Sequence, residues 1–200
     1  MKSMALPKIA SIKPKPAFVK STLDEYKNLL NKKFYPDKPN LVWVSDITYI
    51  RVNSKFSYIC VIIDLFARKV IAYKTSSKID SQLVLDTFLA ACSKRNFPKG
   101  VMFHSDRGCQ YTSKIFRDSL FSFDFVQSFS AKAHPYDNAV AESFFKYLKK
   151  EDLNCKTFSS LHELDIALFE YIEGFYNPKR PHFANNLLTP DEKENLFFNS

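Results

Sequence analysis

The hydrophobic and polar positions of this chain alternate between a period of two and a helical period, which predicts an α/β fold. Residues 41–52 have the alternation and the β-branched content of a strand. Residues 56–65 and 69–73 are two further strand segments, joined by a tight turn at Ala67 and Arg68. These segments predict three successive antiparallel strands.

The middle of the chain predicts helices that alternate with two short strands. A helix begins at Asp80, and short apolar segments at 101–104 and 125–128 are typical of strands, with a helix over 113–121 between them. A further helix begins near Asp137. Its apolar stripe consists of Val140, Phe144 and Leu148.

A last helix of the core begins at Ser160, which we expect to form a capping box with Glu163. Its buried stripe is predicted to be Leu161, Leu164, Leu168, Tyr171, Ile172 and Phe175. The predicted core domain covers residues 40–177.

The two ends of the chain are predicted to lie outside this core. Residues 1–39 contain five prolines among lysines and predict a basic linker or arm, with at most one helical segment over residues 22–31. Residues 178–200 begin with a basic patch and then show little periodicity, so we expect a basic C-terminal tail.

Composition supports one well-buried domain and excludes several classes of site. The chain has 200 residues, of which 46% are hydrophobic and 16% aromatic. Only three glycines occur, and neither GxGxxG nor GxxxxGK[ST] is present, so a glycine-rich nucleotide loop is not expected. The four cysteines include no CxxC pair and are interpreted as reduced thiols.

Charge points to a polyanionic partner. The formal net charge is +8, and residues 1–39 hold nine lysines against three acids. A nucleic acid is one interpretation, and a solubilising terminus is the other. The apolar segments are too short to cross a membrane and the N-terminus lacks an apolar signal core, so no membrane association and a cytoplasmic, nucleoid-associated location are predicted.

Several carboxylates are candidates for chemistry. Asp46 shares the apolar face of its strand, where a carboxylate is costly unless it is paired, hydrogen-bonded or bound to metal. Asp64 ends the next strand, and spacing alone does not choose between the two. Asp106 follows a short strand, and Glu142 lies on the outer face of its helix. Their ordinary alternatives are a hydrogen-bonded strand Asp, a turn Asp and a surface Glu–Lys pair.

Three motifs occur together and in order. They are Trp-Val-Ser-Asp-Ile-Thr-Tyr at 43–49, His-Ser-Asp-Arg-Gly at 104–108 and Pro-Tyr-Asp-Asn-Ala-Val-Ala-Glu-Ser-Phe-Phe at 135–145. This set resembles the DDE transposases of insertion sequences, of the insertion-sequence-three type with a retroviral-integrase-like catalytic core. The resemblance covers about residues 41–190 and continues through 175–177, Arg180, His182 and Pro190.

The resemblance implies a ribonuclease H-like fold, with a five-stranded mixed sheet flanked by helices. It assigns Asp46, Asp106 and Glu142 as catalytic metal ligands and leaves Asp64 as a structural acid. The implied cofactor is Mg²⁺, with Mn²⁺ as a substitute, because phosphodiester transfer uses hard oxygen ligands around paired ions.

The resemblance also implies function and partners. Such an enzyme nicks DNA at the ends of its element and joins the 3′-hydroxyls to other DNA. Candidate contacts to the DNA backbone are Lys132, Lys146, Lys149 and Arg180, and by position also His104 and Arg107. Expected partners are the terminal repeats, target DNA, a homo-oligomer on DNA, and an upstream helix-turn-helix protein or frameshift fusion partner.

Departures from the family leave an alternative function open. The family often has Gly and Asn where Ala133 and His134 stand, Thr where Ser45 stands, and Leu-Gly at 185–186, and the chain looks truncated at its amino end. A non-catalytic DNA-binding remnant or inhibitor of an intact transposase is therefore the alternative.

Overall fold

The structure is a computed structural model that describes residues 26–131 and 135–199. Its centre is a five-stranded sheet in the order β3-β2-β1-β4-β5. The strands are β1 (Val42–Val52), β2 (Lys55–Asp64), β3 (Lys69–Ser76), β4 (Met102–Ser105) and β5 (Val126–Phe129). The first three are antiparallel, whereas β4 and β5 run parallel to β1. The predicted mixed sheet is confirmed.

Helices cover both faces of the sheet. They are α1 (Ser81–Lys94), α2 (Cys109–Thr112), α3 (Lys114–Ser122), α4 (Ala139–Glu151), α5 (Leu161–Tyr171) and α6 (Pro190–Phe198). A 3₁₀ turn, Pro135–Asn138, leads into α4, and a π turn, Ile172–Tyr176, follows α5. The helix predicted over 113–121 is confirmed as α3, with Ser113 as its extended N-cap, whereas the short helix α2 before it was not predicted.

Two hydrophobic cores lie on opposite faces of the sheet. One lies between the sheet and helices α4 and α5, and it includes Val44 and Phe144. The other lies against α1 and α3, and it includes Trp43 and Phe88. Successive side chains of β1 thus enter different cores, as expected for a strand covered on both faces. This alternation places Asp46 on the α4 side of the sheet.

The described end of the predicted arm packs against β5 and is not helical. The backbone N–H groups of Leu29 and Leu30 both donate to the hydroxyl of Ser128, at 2.9 and 3.1 Å. The helix predicted over residues 22–31 is therefore wrong for residues 26–31, because these backbone groups bond to β5 rather than within a helical turn.

The C-terminal segment, predicted to be a basic tail with little periodicity, contains further regular structure. It contains α6, which begins with a capping box between Thr189 and Glu192. Glu194 on this helix pairs with Lys69 at 2.9 Å and with Arg95. The sequence did not predict α6 because the helix has no clear apolar stripe. Its ion pairs and its capping box hold it in place instead. The predicted domain boundary after residue 177 stays a prediction.

Helix α5 differs from its prediction at both ends. The hydroxyl of Ser160 accepts a hydrogen bond from the Glu163 N–H at 3.2 Å, as expected, but the Glu163 carboxylate accepts from the Ser159 N–H at 2.8 Å instead of completing the box. The wider π turn after α5 shifts the buried stripe by one residue. Tyr176 is therefore buried, whereas Phe175 is 41% exposed.

All four cysteines are free thiols, and those of Cys60 and Cys92 are buried. Within the described residues, no helix combines the length and the hydropathy that crossing a membrane requires.

Candidate active site

Asp46 lies on β1 just beyond the point where β4 stops pairing with it. The parallel ladder between the two strands ends at Val44, which pairs with His104. Asp46 is therefore on a rigid strand but at an open edge of the sheet, and it is partly exposed. One of its carboxylate oxygens accepts a hydrogen bond from the Ile47 N–H at 2.8 Å.

The electrostatics of Asp46 connect it to the other two predicted ligands. Burial raises the pKa of Asp46 to about 7, and the negative charges of Asp106 and Glu142 raise it as well. The hydrogen bond from Ile47 and the positive charge of Lys149 act in the opposite direction. The three carboxylates consequently lie within electrostatic range of one another, although they are distant in sequence.

Asp106 occupies the turn that follows β4. It lies two residues beyond His104, as Asp46 lies two residues beyond Val44, so the parallel register brings Asp106 beside Asp46. An oxygen of Asp106 accepts a hydrogen bond from the Gly108 N–H at 2.9 Å. A Cβ atom added at Gly108 would lie 3.0 Å from that oxygen. A side chain at Gly108 would therefore crowd the Asp106 carboxylate in this position.

The two neighbours of Asp106 that we considered for phosphate contact hold the turn in place. His104 is buried between the hydroxyls of Ser128, at 2.9 Å, and Ser130, at 3.2 Å. Burial lowers the pKa of His104 to about 4, so its ring is neutral at pH 7. Arg107 donates to the backbone carbonyls of Ser130, at 3.0 Å, and Tyr26, at 3.1 Å. Both side chains fasten β4 to its surroundings.

Glu142 is exposed on α4, on the side away from the core. The beginning of this helix is tied to the rest of the site. The Asn138 side-chain amide donates to the backbone carbonyl of Ser45 at 3.1 Å, and Asp137 accepts from the side chain of Asn28 at 2.8 Å. Sequence reasoning missed these contacts. Asn138 has the residue type of a helix cap, but its amide bonds to β1 instead.

The three carboxylates have the right chemistry for a metal ion, but their oxygens do not surround one point in this structure. Among the residues that the structure describes, no three His, Cys, Asp or Glu side chains are grouped so that they could hold a metal ion together. The donors themselves suit a hard divalent cation, because all three supply carboxylate oxygens. Their negative charges also act together on Asp46. The fold brings the ligands into range without arranging their oxygens around one point.

Asp64, the rival of Asp46, has a structural environment. It is fully buried, and its two oxygens accept hydrogen bonds from the backbone N–H groups of Asn40, at 2.8 Å, and Phe66, at 3.0 Å. The guanidinium of Arg95 lies 3.9 Å away. Asp64 therefore joins the end of β2 to the backbone before β1 and to the turn that follows β2.

The lysines predicted to contact DNA lie in different surroundings. Lys132 lies outside the described residues, as do Ala133 and His134. Lys146 is exposed on α4, close to Glu142 in the helical register. The ammonium of Lys149 lies 4.9 Å from the centre of the Tyr49 ring. Lys146 and Lys149 thus lie on the same helix as Glu142, and the charge of Lys149 also reaches Asp46.

Arg180, the fourth candidate, is held within the protein. Its guanidinium makes two hydrogen bonds to the Glu151 carboxylate, with shortest distances of 3.1 Å from Nε and 2.9 Å from the terminal nitrogen. It also lies 4.3 Å from the centre of the Tyr147 ring. The hydroxyl of Tyr171 donates to the same carboxylate at 2.6 Å. Any contact between Arg180 and DNA would compete with these partners.

Solved structures with the same fold include catalytic cores of integrases and transposases. The catalytic core domain of HTLV-2 integrase, in complex with magnesium, superimposes with a TM-score of 0.57 at 19% identity, covering 78% of this chain and 97% of that one. The catalytic domain of Mos1 mariner transposase gives a TM-score of 0.57 at 19% identity, covering 68% of this chain and 71% of that one. The ribonuclease H-like fold is thereby confirmed.

Sequence relatives are closer and belong to one group. The transposase for insertion sequence element IS904 of Lactococcus lactis is 40% identical over 167 residues, which cover 84% of this chain and 66% of the relative. Transposase InsF for insertion sequence IS3A of Escherichia coli is 39% identical over 168 residues, covering 84% and 58%. The chain therefore spans less than two thirds of the length of these relatives.

Family models match most of the described residues. Two models of the integrase core domain match residues 36–135 and residues 124–190, so both the strand carrying Asp46 and the helix carrying Glu142 lie within matched regions. The chain belongs to the integrase core domain family, and the sequence relatives described above are transposases of insertion sequences.

Proposed function

We propose that this chain is the catalytic core of an insertion-sequence transposase that nicks DNA at the ends of its element and joins the resulting 3′-hydroxyls to other DNA. One observation carries the proposal. The charges of Asp106 and Glu142 both act on the partly buried carboxyl of Asp46, at the open edge of the sheet. Such a concentration of like charge is costly unless a cation compensates it.

Asp46, Asp106 and Glu142 would hold Mg²⁺, or Mn²⁺ in its place. Bound metal ions would activate the attacking oxygen and stabilise the leaving oxygen. The protein's own contribution is position: Asp46 is on β1, Asp106 directly follows the neighbouring parallel strand β4, and Asn138 ties the helix of Glu142 to β1. A pKa of about 7 keeps Asp46 partly protonated at neutral pH until positive charge is added nearby.

DNA would lie along the exposed face of α4. Lys146 and Lys149 are on the same side of this helix as Glu142, so they would contact phosphates next to the scissile bond. Lys132 is a further candidate by its place in the sequence. Arg180 would contribute only after release from Glu151.

The partners in this proposal are the terminal repeats of the element, target DNA and further copies of the chain assembled on DNA. An upstream helix-turn-helix protein, or a frameshift fusion to one, would supply recognition of the ends. The proposed location is the bacterial cytoplasm, with the nucleoid. A second candidate function is a non-catalytic DNA-binding inhibitor of an intact transposase, which would use the exposed lysine side of α4 for DNA but would need no metal.

The decisive experiment measures nicking and strand transfer on a labelled terminal-repeat duplex, with Mg²⁺ or Mn²⁺ and with a terminus-binding region supplied. Asp46→Asn, Asp106→Asn and Glu142→Gln should each abolish both products. Asp64→Asn should retain them in its folded fraction, because Asp64 is bound to backbone groups away from the site. A wild type that binds this duplex but cuts nothing with either metal would leave the inhibitor function instead.

A further inference from the structure

A pocket of about 260 Å³ lies beside the helix that carries Glu142. One wall is the α4 surface that includes Ser143 and Tyr147. The other walls come from the turn between β2 and β3, from the described end of the arm and from the segment after the π turn. Elements that are far apart in sequence therefore enclose a space against the helix that carries Glu142.

Arg68, from the turn between β2 and β3, is the unusual feature of this pocket. Its side chain lines the pocket and is only 7% exposed, and one terminal guanidinium nitrogen is buried without a hydrogen-bond partner. The guanidinium lies 5.1 Å from the centre of the Tyr35 ring. Among the described residues that line the pocket, none carries a carboxylate. A buried cation without an anionic partner is costly, so the pocket favours an anion.

A second unsatisfied nitrogen lines the same space. The Nε2 atom of His182 is buried without a hydrogen-bond partner, and its ring contacts Tyr176 edge-on, with 4.9 Å between centroids. Burial, with the charges of Arg180 and Arg68, lowers the pKa of His182 to about 4. A neutral imidazole can still donate one N–H group. Arg180 lines the pocket too, but Glu151 already occupies its guanidinium.

We propose that this pocket binds a phosphodiester group of DNA, with Arg68 and His182 as the residues that contact it. The proposal rests on the proposed function, because it takes the phosphate from DNA lying along α4. A guanidinium presents parallel N–H groups that match phosphate oxygens, and it is more weakly hydrated than an ammonium group. The contact would anchor the backbone beside the carboxylates, on a face of α4 adjacent to that of Glu142.

The first test uses inorganic phosphate as the probe. Melting temperatures are measured in phosphate and in chloride at equal ionic strength, for the wild type, Arg68→Gln and Lys193→Gln. Lys193 is a matched control, because its charge acts on the same region while its ammonium bonds to Asn185, at 3.1 Å, and does not line the pocket. Phosphate should raise the melting temperature of the wild type and of Lys193→Gln, but not of Arg68→Gln.

The second test measures duplex DNA binding without divalent metal at several salt concentrations. Arg68→Gln should bind more weakly, and the slope of log K against log salt should fall by about 0.9, the value for one lost phosphate contact. Lys193→Gln should keep the wild-type slope. If Arg68→Gln does not fold, His182→Gln is the second variant, and it should reduce both the phosphate effect and DNA affinity.

The outcomes separate the two proposals. Loss of the phosphate effect with unchanged DNA binding would overturn the DNA assignment and point to a small phosphate ligand. If Arg68→Gln and His182→Gln keep the wild-type phosphate effect and the wild-type DNA binding, the pocket is not a phosphate-binding site. A wild type that binds DNA through Arg68 but never nicks it would contradict only the proposed catalysis, whereas a wild type that binds no DNA would contradict both.

Discussion

The side-chain amide of Asn138 donates to the backbone carbonyl of Ser45 at 3.1 Å, and this bond joins the start of α4 to the residue next to Asp46. Both residues are buried, so water does not replace the bond easily. Since Glu142 lies one turn into α4, the contact sets the position of one carboxylate relative to another. It is therefore a positioning contact within the candidate site.

We expect Asn138→Ala to slow nicking by about 10- to 100-fold while DNA affinity stays within about twofold, because the carboxylates lose their relative position. The lost hydrogen bond should lower the free energy of unfolding by about 1–2 kcal/mol. Single-turnover nicking and DNA titration measure the two effects. Asn185→Ala is the control, because Asn185 donates to the Ala67 carbonyl at 2.7 Å outside the carboxylate site. Equal slowing in both variants would mean that loss of stability alone explains the effect.

The pair between Arg180 and Glu151 predicts how DNA binding responds to release of the arginine. Arg180→Gln alone should leave the salt dependence of DNA binding unchanged, because Glu151 already holds the guanidinium. In a Glu151→Gln background the freed arginine should increase that salt slope by about 0.9, and adding Arg180→Gln should remove the increase. Fluorescence anisotropy at several salt concentrations measures the slopes. A smaller slope for Arg180→Gln alone would show that the arginine contacts DNA without release.

The buried ion pairs of α6 predict a large effect on stability. Glu194→Ala should lower the free energy of unfolding by about 2–4 kcal/mol, because it removes an acid that pairs with Lys69 and Arg95 and is itself only 5% exposed. Asp118→Ala removes an exposed acid paired with Lys114 and should cost less than about 0.5 kcal/mol. Urea unfolding of the two variants tests this difference. Equal losses would mean that α6 is not held by its ion pairs.

His182 predicts a stability that declines in acid. Its pKa is about 4 in the folded protein and 6.5 in its unperturbed state, so the unfolded chain binds more protons between these pH values. The free energy of unfolding should therefore be fully retained above pH 6.5 and fall as pH decreases toward 4, by on the order of 1–3 kcal/mol for this group. Urea unfolding in phosphate-free buffers measures it.

His182→Gln should show a shallower decline with pH, because glutamine does not titrate. Some decline will remain, since the pKa of buried His104 is also lowered to about 4. Identical pH profiles for the wild type and the variant would contradict the assignment to His182.

The periodicity of the chain was sufficient to predict the strands of the sheet and the helices that cover it. Alternation along β1 placed Asp46 on the same face as Val42 and Val44, and in the structure these two valines are buried against α4 and α5. The stripe of Phe144 and Leu148 is likewise buried, which turns Glu142 outward. These features were predictable because each depends on which side of one element faces the core.

Periodicity failed where contacts between distant residues decide the conformation. Residues 26–31 have helical spacing, but Ser128 of β5 binds their backbone N–H groups. Helix α6 has no apolar stripe to reveal it and depends on ion pairs with Lys69 and Arg95. The π turn after α5 buries Tyr176 and exposes Phe175, which the helical spacing had predicted to be buried.

The sequence by itself determined the order of the five strands and of helices α1, α3, α4 and α5. Together with the family resemblance, it also determined which three carboxylates are candidates for catalysis. Only the tertiary structure decided that the charges of Asp106 and Glu142 reach Asp46, and that Glu151 occupies Arg180. It also decided that one nitrogen of the buried Arg68 guanidinium has no hydrogen-bond partner within the described part of the chain. The physical reason is that the spacing of apolar residues depends only on which face of a single helix or strand is buried. The pairing of a charge depends instead on distances between residues that only folding brings together.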